Sequence, residues 1–344
     1  MRLFFYVICC LLLRVNNAGA SEVLRVLAWP GYADPDAVKV FEQKTGTKVE
    51  VTEVDSDDFL WKQVSHPKED AGYDVFAVNT AELARYIEAG LVAPLDVNKI
   101  PNTQLQLPRF RNVHEVPGIV QNQKLYAIPY TYADMGLIYD KKVFPEPPDS
   151  FSVMWDPKYQ QRVLAYNSGV HNFSLAGLMR GSANPFQIST ADWLQRVADL
   201  IALRRNVLTF YSQPDEALKL YRENQVAVLL ANYGSQQLQA FKDAGLDVGY
   251  TIPKEGALAW LDCWAITSRS SHQKLAEAWI NWMLDPSVSK YLVTRQGLSN
   301  TLVGNKSQRD AKLFWLRPPE DVNKRNLYWQ RIISGDRIEK VLSN

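Results

Sequence analysis

The segment ALAWLDCWAI, residues 257–266, holds one carboxylate within an otherwise apolar run. If this segment is an extended strand, Trp260, Asp262 and Trp264 project from the same face, because side chains alternate along a strand. A carboxylate between two indoles suits an organic ammonium ion, since the carboxylate pairs with the charge and each indole adds about 0.5–2 kcal/mol of cation–π attraction. The alternative is a pair of core tryptophans and an aspartate bound to a nearby arginine, because an unpaired buried carboxylate is costly.

A second group of candidate residues follows the first predicted strand. Trp29 and Tyr32 flank a Pro-Gly turn, and a turn at the carboxyl edge of a sheet can hold two aromatic side chains against a ligand. The alternative is that Trp29 only covers the end of the sheet. Asn79 follows the strand predicted at 73–78, so we expect it at the same edge.

The elements that would position these residues alternate between strands and helices. Asp34 suits the N-cap of a helix with Pro35 at its first position, and Gly46 suits the end of that helix. Asn79 and Glu82 resemble a capping box for the next helix. The pattern predicts an α/β fold with mainly parallel sheets, whose ligands bind at the carboxyl ends of the strands. The predicted strands are 23–29, 48–54, 73–78, 135–140, 207–212, 226–231, 246–252 and 264–268, and the predicted helices begin at residues 35, 80, 191, 214, 272 and 286.

The composition indicates an exported, soluble protein of about two domains. The chain has 344 residues, of which 47% are hydrophobic and 22% charged, with a formal net charge of +1, an ordinary globular balance. The apolar run at residues 3–13 and the small residues 18–20 predict a signal peptide cleaved before Ser21, because the run is too short to span a bilayer. Of the cysteines only Cys263 lies in the mature chain, so no disulfide is predicted.

Motifs of common enzyme and nucleic-acid-binding families are absent from the sequence. It has no G-x-G-x-x-G, P-loop, G-x-S-x-G or H-E-x-x-H motif, and its four histidines do not have metal-ligand spacing. The tryptophans are not interleaved with basic residues, as they would be in a single-stranded nucleic-acid site. We therefore predict a binding protein without catalysis, metal or cofactor, and without a nucleic-acid partner.

Several motifs, in order along the chain, resemble those of the periplasmic polyamine-binding proteins, the spermidine/putrescine receptors of ABC importers. They are W-x-x-Y (29–32), FEQKTGTKV (41–49), YDVFAV (73–78), AGLVAPLD (89–96), YAIPY (126–130), IPKEGALAWLD (252–262) and INWMLDPSVSKY (280–291). The resemblance covers nearly the whole mature chain. It implies a type II clamp of two lobes, each a mainly parallel sheet flanked by helices.

The resemblance also implies how the lobes and partners are arranged. The signal peptide is residues 1–20, the N-terminal lobe combines 21–129 with 257–301, and the C-terminal lobe combines 130–256 with 302–344. A small amine-bearing solute lies in the cleft, and hinge closure around it presents a loaded, periplasmic monomer to an ABC permease in the inner membrane.

Family members similar to this chain use aromatic side chains matching Trp29, Tyr32 and Trp260 to enclose the methylene groups of the ligand. The carboxylate that matches Asp262 holds one ammonium. The second lobe departs from the family pattern, because the segment NSGVHN at residues 167–172 has no carboxylate where the family places one.

Two alternatives could complete the site. Asp134, which follows Tyr132 in the crossover segment, could supply the missing acid for a diamine. Otherwise the ligand is a zwitterion with one ammonium, such as an ω-amino acid or aminophosphonate, whose anionic end contacts Ser168, His171 and Asn232 near a helix N-terminus. Two further alternatives differ in function: a ligand sensor that presents to a signalling receptor, and a periplasmic enzyme, which the lack of nucleophile–base spacing disfavours.

Overall fold

Two large β-sheets flanked by helices dominate the computed structural model, which describes residues 22–66, 72–303 and 312–343. The predicted signal peptide lies outside the described residues. The strands, numbered along the chain, are β1 (Val23–Ala28), β2 (Lys48–Glu53), β3 (Val75–Asn79), β4 (Val120–Gln121), β5 (Lys124–Leu125), β6 (Ala127–Asp134), β7 (Leu137–Asp140), β8 (Val163–Tyr166), β9 (Thr209–Tyr211), β10 (Val228–Leu230), β11 (Val248–Thr251), β12 (Ala257–Ile266), β13 (Ser299–Asn300) and β14 (Leu313–Trp315).

The helices lie between these strands and after them. They are α1 (Pro35–Thr45), α2 (Asp57–Ser65), α3 (Thr80–Glu88), α4 (Pro108–Arg111), α5 (Gly169–Met179), α6 (Trp193–Asn206), α7 (Pro214–Glu223), α8 (Gly234–Asp243), α9 (Gln273–Met283), α10 (Pro286–Gln296), α11 (Val322–Ile333) and α12 (Ile338–Leu342). None of the helices within the described ranges is both long and apolar enough to cross a membrane.

Local capping chemistry sets the ends of α1 as the sequence predicts. The Asp34 side chain accepts a hydrogen bond from the main-chain N–H of Asp36, and Pro35 occupies the first turn. Gly46 ends the helix with a φ of 72°, a left-handed conformation that glycine adopts at little cost. After this helix, β2 pairs in parallel with β1, so the carboxyl ends of both strands lie at one edge of the first sheet.

Both sheets mix parallel and antiparallel strands. The first has the order β13–β6–β12–β3–β1–β2, with β14 beside β12, and the second has the order β11–β7–β10–β8–β9. β1 is parallel to β2 and β3, whereas β12 is antiparallel to β3 and β6. In the second sheet, β8 is parallel to β9 and β10, and β7 is antiparallel to β10 and β11. Among the described strands of the second sheet, β7 runs opposite to the other four. In the first sheet, β12, β13 and β14 run opposite to β1, β2, β3 and β6. Parallel strands therefore form the larger part of each sheet, with reversed strands added to them.

Each sheet carries its own apolar core. Trp264 and Trp279 are fully buried in the core of the first sheet. Phe173 is fully buried on one face of the second sheet, and Tyr211 and Phe241 are fully buried on its other face. Separate cores are what a chain of two structural units requires.

β6 and β12 join the two halves as a paired ladder, whose register shifts between Asp262 and Cys263. Ala259 lies opposite Asp134 at one end and Ala265 lies opposite Ala127 at the other. Leu258, near the start of β12, packs in the core of the second sheet, whereas Leu261 packs in the first. β12 therefore passes from one half of the molecule to the other between these two residues.

Two predicted lobe boundaries fall close to this ladder. The boundary between residues 129 and 130 lies within β6, and the boundary before residue 257 coincides with the first residue of β12. β14 belongs to the segment 302–344, yet it pairs with β12 in the first sheet. The connection between the halves is thus made of paired strands.

Candidate functional site

Asp262 is buried beside β3, and within the described ranges its hydrogen-bond donors are two neutral side chains. It lies opposite Asn79 in the β12–β3 ladder and is 7% exposed. The Tyr32 hydroxyl donates to Oδ2 at 2.5 Å, and the Asn79 Nδ2 donates to Oδ1 at 3.0 Å. Among the residues that the structure describes, no Lys, Arg or His side chain forms an ion pair with Asp262. The carboxylate is therefore hydrogen-bonded, but its charge is not neutralised.

The electrostatics of Asp262 reflect this burial. Burial raises the pKa of its carboxyl group to about 6, even though the hydrogen bonds from Tyr32 and Asn79 favour the charged form. A nearby cation would lower that pKa, because an opposite charge favours ionisation. The site is therefore suited to binding a positively charged group.

The turn after β1 positions Tyr32. Its main-chain N–H donates to the Trp29 carbonyl at 3.0 Å, and Gly31 between them has a φ of 80°, which favours glycine. The Tyr130 hydroxyl donates to the Tyr32 carbonyl at 2.9 Å, so the turn is also held from β6. Trp29 is partly exposed, and its Nε1 is buried without a hydrogen-bond partner in the described part of the chain.

Asn79 both caps α3 and forms a hydrogen bond with Asp262. Its Oδ1 accepts from the main-chain N–H of Ala81 at 2.9 Å, which caps α3, while its Nδ2 faces Asp262. The cap fixes the orientation of the amide, so the donor end points to the carboxylate. Glu82 pairs with Arg85 at 2.8 Å, so the structure shows a simple N-cap at Asn79 where a capping box was predicted.

Trp264 lies in the core and is not at the ligand-facing surface that the alternation pattern predicts for it. The side chain is fully buried, with ring centroids 6.0 Å from Trp279 on α9 and 5.3 Å from Tyr130. Alternation gives the face on which a side chain lies, but it does not show how far along the strand a helix covers that face. For this residue the structural alternative, a core tryptophan, is the better description.

Trp260 lies where the two halves of the molecule meet. It is partly exposed and packs against the cores of both sheets. Its Nε1 donates to the main-chain carbonyl of Asn232 at 3.2 Å. Trp260 therefore connects the Asp262 strand to the carboxyl edge of the second sheet.

Ser168, His171 and Asn232 form a second cluster at that edge. Ser168 caps α5 by accepting the main-chain N–H of His171 at 3.3 Å. The His171 Nδ1 lies 3.1 Å from the Asn232 Oδ1, and its ring stacks on Tyr166 with 5.7 Å between centroids. Burial lowers the pKa of His171 to about 4, and the hydrogen bond with Asn232 opposes that shift only in part. The imidazole is therefore neutral at neutral pH.

Tyr132 and Asp134 are fully buried. Tyr132 packs between Phe110 and Trp315, with ring centroids 5.2 Å and 5.9 Å away, and Arg109 donates to its hydroxyl at 3.4 Å. The carboxylate of Asp134 accepts a hydrogen bond from the Tyr250 hydroxyl. Both residues thus have partners within the protein, away from the Asp262 cluster of hydrogen bonds.

Asp57, at the start of α2, is a residue that the sequence analysis missed. Desolvation, together with the negative charges of Glu82 and Asp262, raises the pKa of Asp57 to about 7, although the residue is exposed at the protein surface. Arg85 donates to the Asp57 carbonyl at 3.2 Å and pairs with Glu82. The signal for this position was the run Ser56-Asp57-Asp58 directly after β2, a helix N-cap at the same sheet edge.

These residues together offer two aromatic surfaces, a buried carboxylate and neutral hydrogen-bonding groups. Trp29 and Tyr32 come from the loop after β1, Asn79 from the end of β3, and Trp260 and Asp262 from β12. This combination suits recognition of an organic cation, because the carboxylate pairs with the charge and the aromatic faces cover apolar groups.

Residues 36–311 match the model of a family described as bacterial extracellular solute-binding proteins. The chain is 24% identical to spermidine/putrescine-binding periplasmic protein 1 of Haemophilus influenzae, over 94% of this chain and 88% of that protein. It is 25% identical to the putrescine-binding periplasmic protein PotF of Escherichia coli, over 92% of this chain and 93% of that protein.

Solved structures show the same fold. The spermidine/putrescine ABC transporter substrate-binding protein PotD of Streptococcus pneumoniae is similar with a TM-score of 0.76 and 21% identity, over 93% of this chain and 99% of that chain. The maltose-binding periplasmic protein MalE of Listeria monocytogenes is similar with a TM-score of 0.65 and 14% identity, over 94% and 96%. These similarities confirm the predicted α/β, two-lobe clamp.

Proposed function

Since the chain belongs to the family of bacterial extracellular solute-binding proteins, we propose that it is the periplasmic receptor of an ABC importer and binds a polyamine, putrescine or spermidine. The relatives named above as spermidine/putrescine- and putrescine-binding periplasmic proteins support this ligand class. The observation that carries the proposal is Asp262, a buried carboxylate with neutral donors and no cationic partner among the described residues.

An ammonium group of the ligand would complete the Asp262 site. It would pair with the carboxylate, whose two hydrogen bonds from Tyr32 and Asn79 already hold it in position. The indoles of Trp29 and Trp260 would cover the methylene groups beside the ammonium, with cation–π attraction adding about 0.5–2 kcal/mol each. Tyr32 contributes through its hydroxyl, because its ring is almost fully buried.

The proposed clamp has its lobes at 21–129 plus 257–301 and at 130–256 plus 302–344. The Asp262 cluster belongs to the first, and the His171–Asn232 cluster belongs to the second. Closure of the lobes around the ligand would exclude water from the ammonium–carboxylate pair, which strengthens it. The closed, loaded receptor would then dock on an inner-membrane permease after cleavage of the signal peptide, residues 1–20.

Calorimetric titration of the ligand-free mature chain with putrescine and spermidine tests this proposal. We expect micromolar or tighter binding, and we expect Asp262→Asn to weaken it by more than about tenfold, because the ammonium loses its counter-charge. Asp247→Asn is the matched control, since Asp247 is an exposed partner of Lys141 beside the second sheet. Equal affinity in wild type and Asp262→Asn, with both folded by circular dichroism, would refute the site assignment.

A further inference from the structure

Two loops at the carboxyl edge of the second sheet form an uncharged surface. Residues 166–172 follow β8 and residues 231–235 follow β10, and neither segment contains Asp, Glu, Lys or Arg. β8 and β10 are paired neighbours, and the contact between His171 and Asn232 joins the two loops. The nearest acids after the edge strand β9 are Asp215 and Glu216, and Glu216 accepts main-chain N–H groups of its own loop.

Asn232 fixes the tautomer of His171. The Asn232 Oδ1 can only accept a hydrogen bond, so the His171 Nδ1 at 3.1 Å must carry the proton and donate. The Nε2 of the neutral ring is then a hydrogen-bond acceptor. No described residue forms a hydrogen bond with this Nε2, and the side chain is only partly buried.

Trp260 links this surface to Asp262. Its indole N–H donates to the carbonyl of Asn232, and Asp262 lies two residues further along β12, which is about 7 Å of strand. A short aliphatic ligand with its ammonium at Asp262 can therefore run along the Trp260 indole toward His171. The ammonium end of such a ligand would contact the buried carboxylate of Asp262. Its far end would contact the two loops near His171, which contain no charged side chain.

From this asymmetry we propose that the receptor prefers an amine whose far end is an uncharged N–H group, the class of mono-N-acylated diamines. The far amide N–H donates to the His171 Nε2. The Ser168 hydroxyl, whose oxygen accepts the His171 main-chain N–H, keeps its own hydrogen to donate to the amide carbonyl. The proposal rests on the proposed function, because the ammonium at the other end must be held by Asp262.

The charges near His171 disfavour the alternatives. A second ammonium would lose its water at a surface without a carboxylate, and it would lie near the positive N-terminus of α5. A carboxylate or phosphonate would be attracted to the N-terminus of α5, but it would face the lone pair of Nε2 and meet no Lys or Arg side chain in either loop. Arg325, which donates to the Val170 carbonyl, is fully buried and paired with Glu320. Asp134 is fully buried and bonded to Tyr250, so its carboxylate would have to leave that contact to reach a ligand.

Calorimetric titration with N-acetylputrescine, putrescine and 4-aminobutyrate tests the proposal directly. We expect wild type to bind N-acetylputrescine at least about tenfold more tightly than either of the other two. Tighter binding of putrescine, together with loss of that binding in Asp262→Asn, would overturn this inference while leaving the proposed function intact. Tightest binding of 4-aminobutyrate would overturn it in favour of a zwitterion, and no binding of any amine would overturn both proposals.

Variants at His171 separate recognition of the far end from a structural role. His171→Glu supplies a carboxylate and should reverse the order, so that putrescine binds more tightly than N-acetylputrescine. His171→Gln keeps a neutral hydrogen-bond acceptor and should retain the wild-type order of affinities. This variant keeps the inference testable if His171→Glu does not fold. His66→Glu is the control, because it introduces a carboxylate at the exposed end of α2. It should retain the wild-type order of affinities. An unchanged order in a folded His171→Glu variant would contradict the inference.

Discussion

Asp262 is held in its charged form at an energetic cost. Its pKa rises from an ordinary value of 3.8 to about 6, mainly through burial, which corresponds to about 3 kcal/mol of disfavoured ionisation. Tyr32 and Asn79 reduce that cost by hydrogen bonding, but neither brings a positive charge. A bound ammonium would remove most of this cost of ionisation. Part of the affinity for a cation therefore comes from stabilising the charged form of Asp262.

The same pKa predicts that ligand affinity falls as the solution becomes more acidic. Protonated Asp262 cannot pair with an ammonium, so the dissociation constant for putrescine should increase about tenfold between pH 7 and pH 5, given a pKa of about 6. Asp57, with a pKa of about 7, also loses its charge in this range, so its variant serves as the control for that titration.

Calorimetric titrations across this pH range give the measurement. The variant Asp57→Asn should retain most of the decline, and Asp262→Asn should bind weakly with little dependence on pH. A wild-type affinity that stays constant from pH 7 to pH 5 would show that Asp262 is not the group that pairs with the ligand.

At the scale of elements, local signals in the sequence predict helix ends better than they predict the direction or pairing of strands. The cap of α1 at Asp34 and its end at Gly46 were predictable, because both depend on contacts within a few residues. The helix α2 was missed, although Ser56 caps it, and the direction of β12 could not be known without its neighbours. The Tyr32 and Asn79 contacts to Asp262 span 230 and 183 residues of sequence, so only the fold reveals them.

β12 shows how one strand divides its side chains between stability and recognition. Trp264→Leu should lower the free energy of unfolding by about 2–4 kcal/mol, because it leaves a cavity against Trp279, while putrescine affinity changes less than about threefold.

Trp260→Leu should lose about tenfold in affinity for putrescine, with a smaller effect on the free energy of unfolding than Trp264→Leu. Denaturant unfolding and calorimetry measure both, and the reverse ranking in affinity would place Trp264 at the ligand.

At the scale of the whole molecule, the halves are joined by the ladder between β6 and β12. Strands that continue from one half into the other restrict relative motion to bending and twisting of a paired ribbon. The Ser235 hydroxyl donates to the Gly297 carbonyl at 2.8 Å, and the Trp260 Nε1 donates to the Asn232 carbonyl. Each contact joins a residue of one proposed lobe to a residue of the other. They are candidates to change when the lobes close.

Small-angle X-ray scattering tests closure of the whole molecule. Saturating ligand should reduce the radius of gyration of wild type, because hinge closure brings the lobes together. Asp262→Asn at the same ligand concentration should keep the dimensions of the empty protein, and Asp247→Asn should close as wild type does. A radius of gyration that ligand leaves unchanged in wild type would argue for a rigid receptor.

Burial of Asp262 has one further consequence, which concerns the protons released when the ligand binds. At a pH near 6, about half of the empty molecules carry a proton on this carboxyl group. An arriving ammonium must displace that proton, so loading exchanges one cation for about half a proton released to the buffer. The heat measured for binding then includes the protonation heat of the buffer. Titrations at pH 6 in phosphate and in imidazole should therefore differ by about half of the difference between the protonation heats of these two buffers.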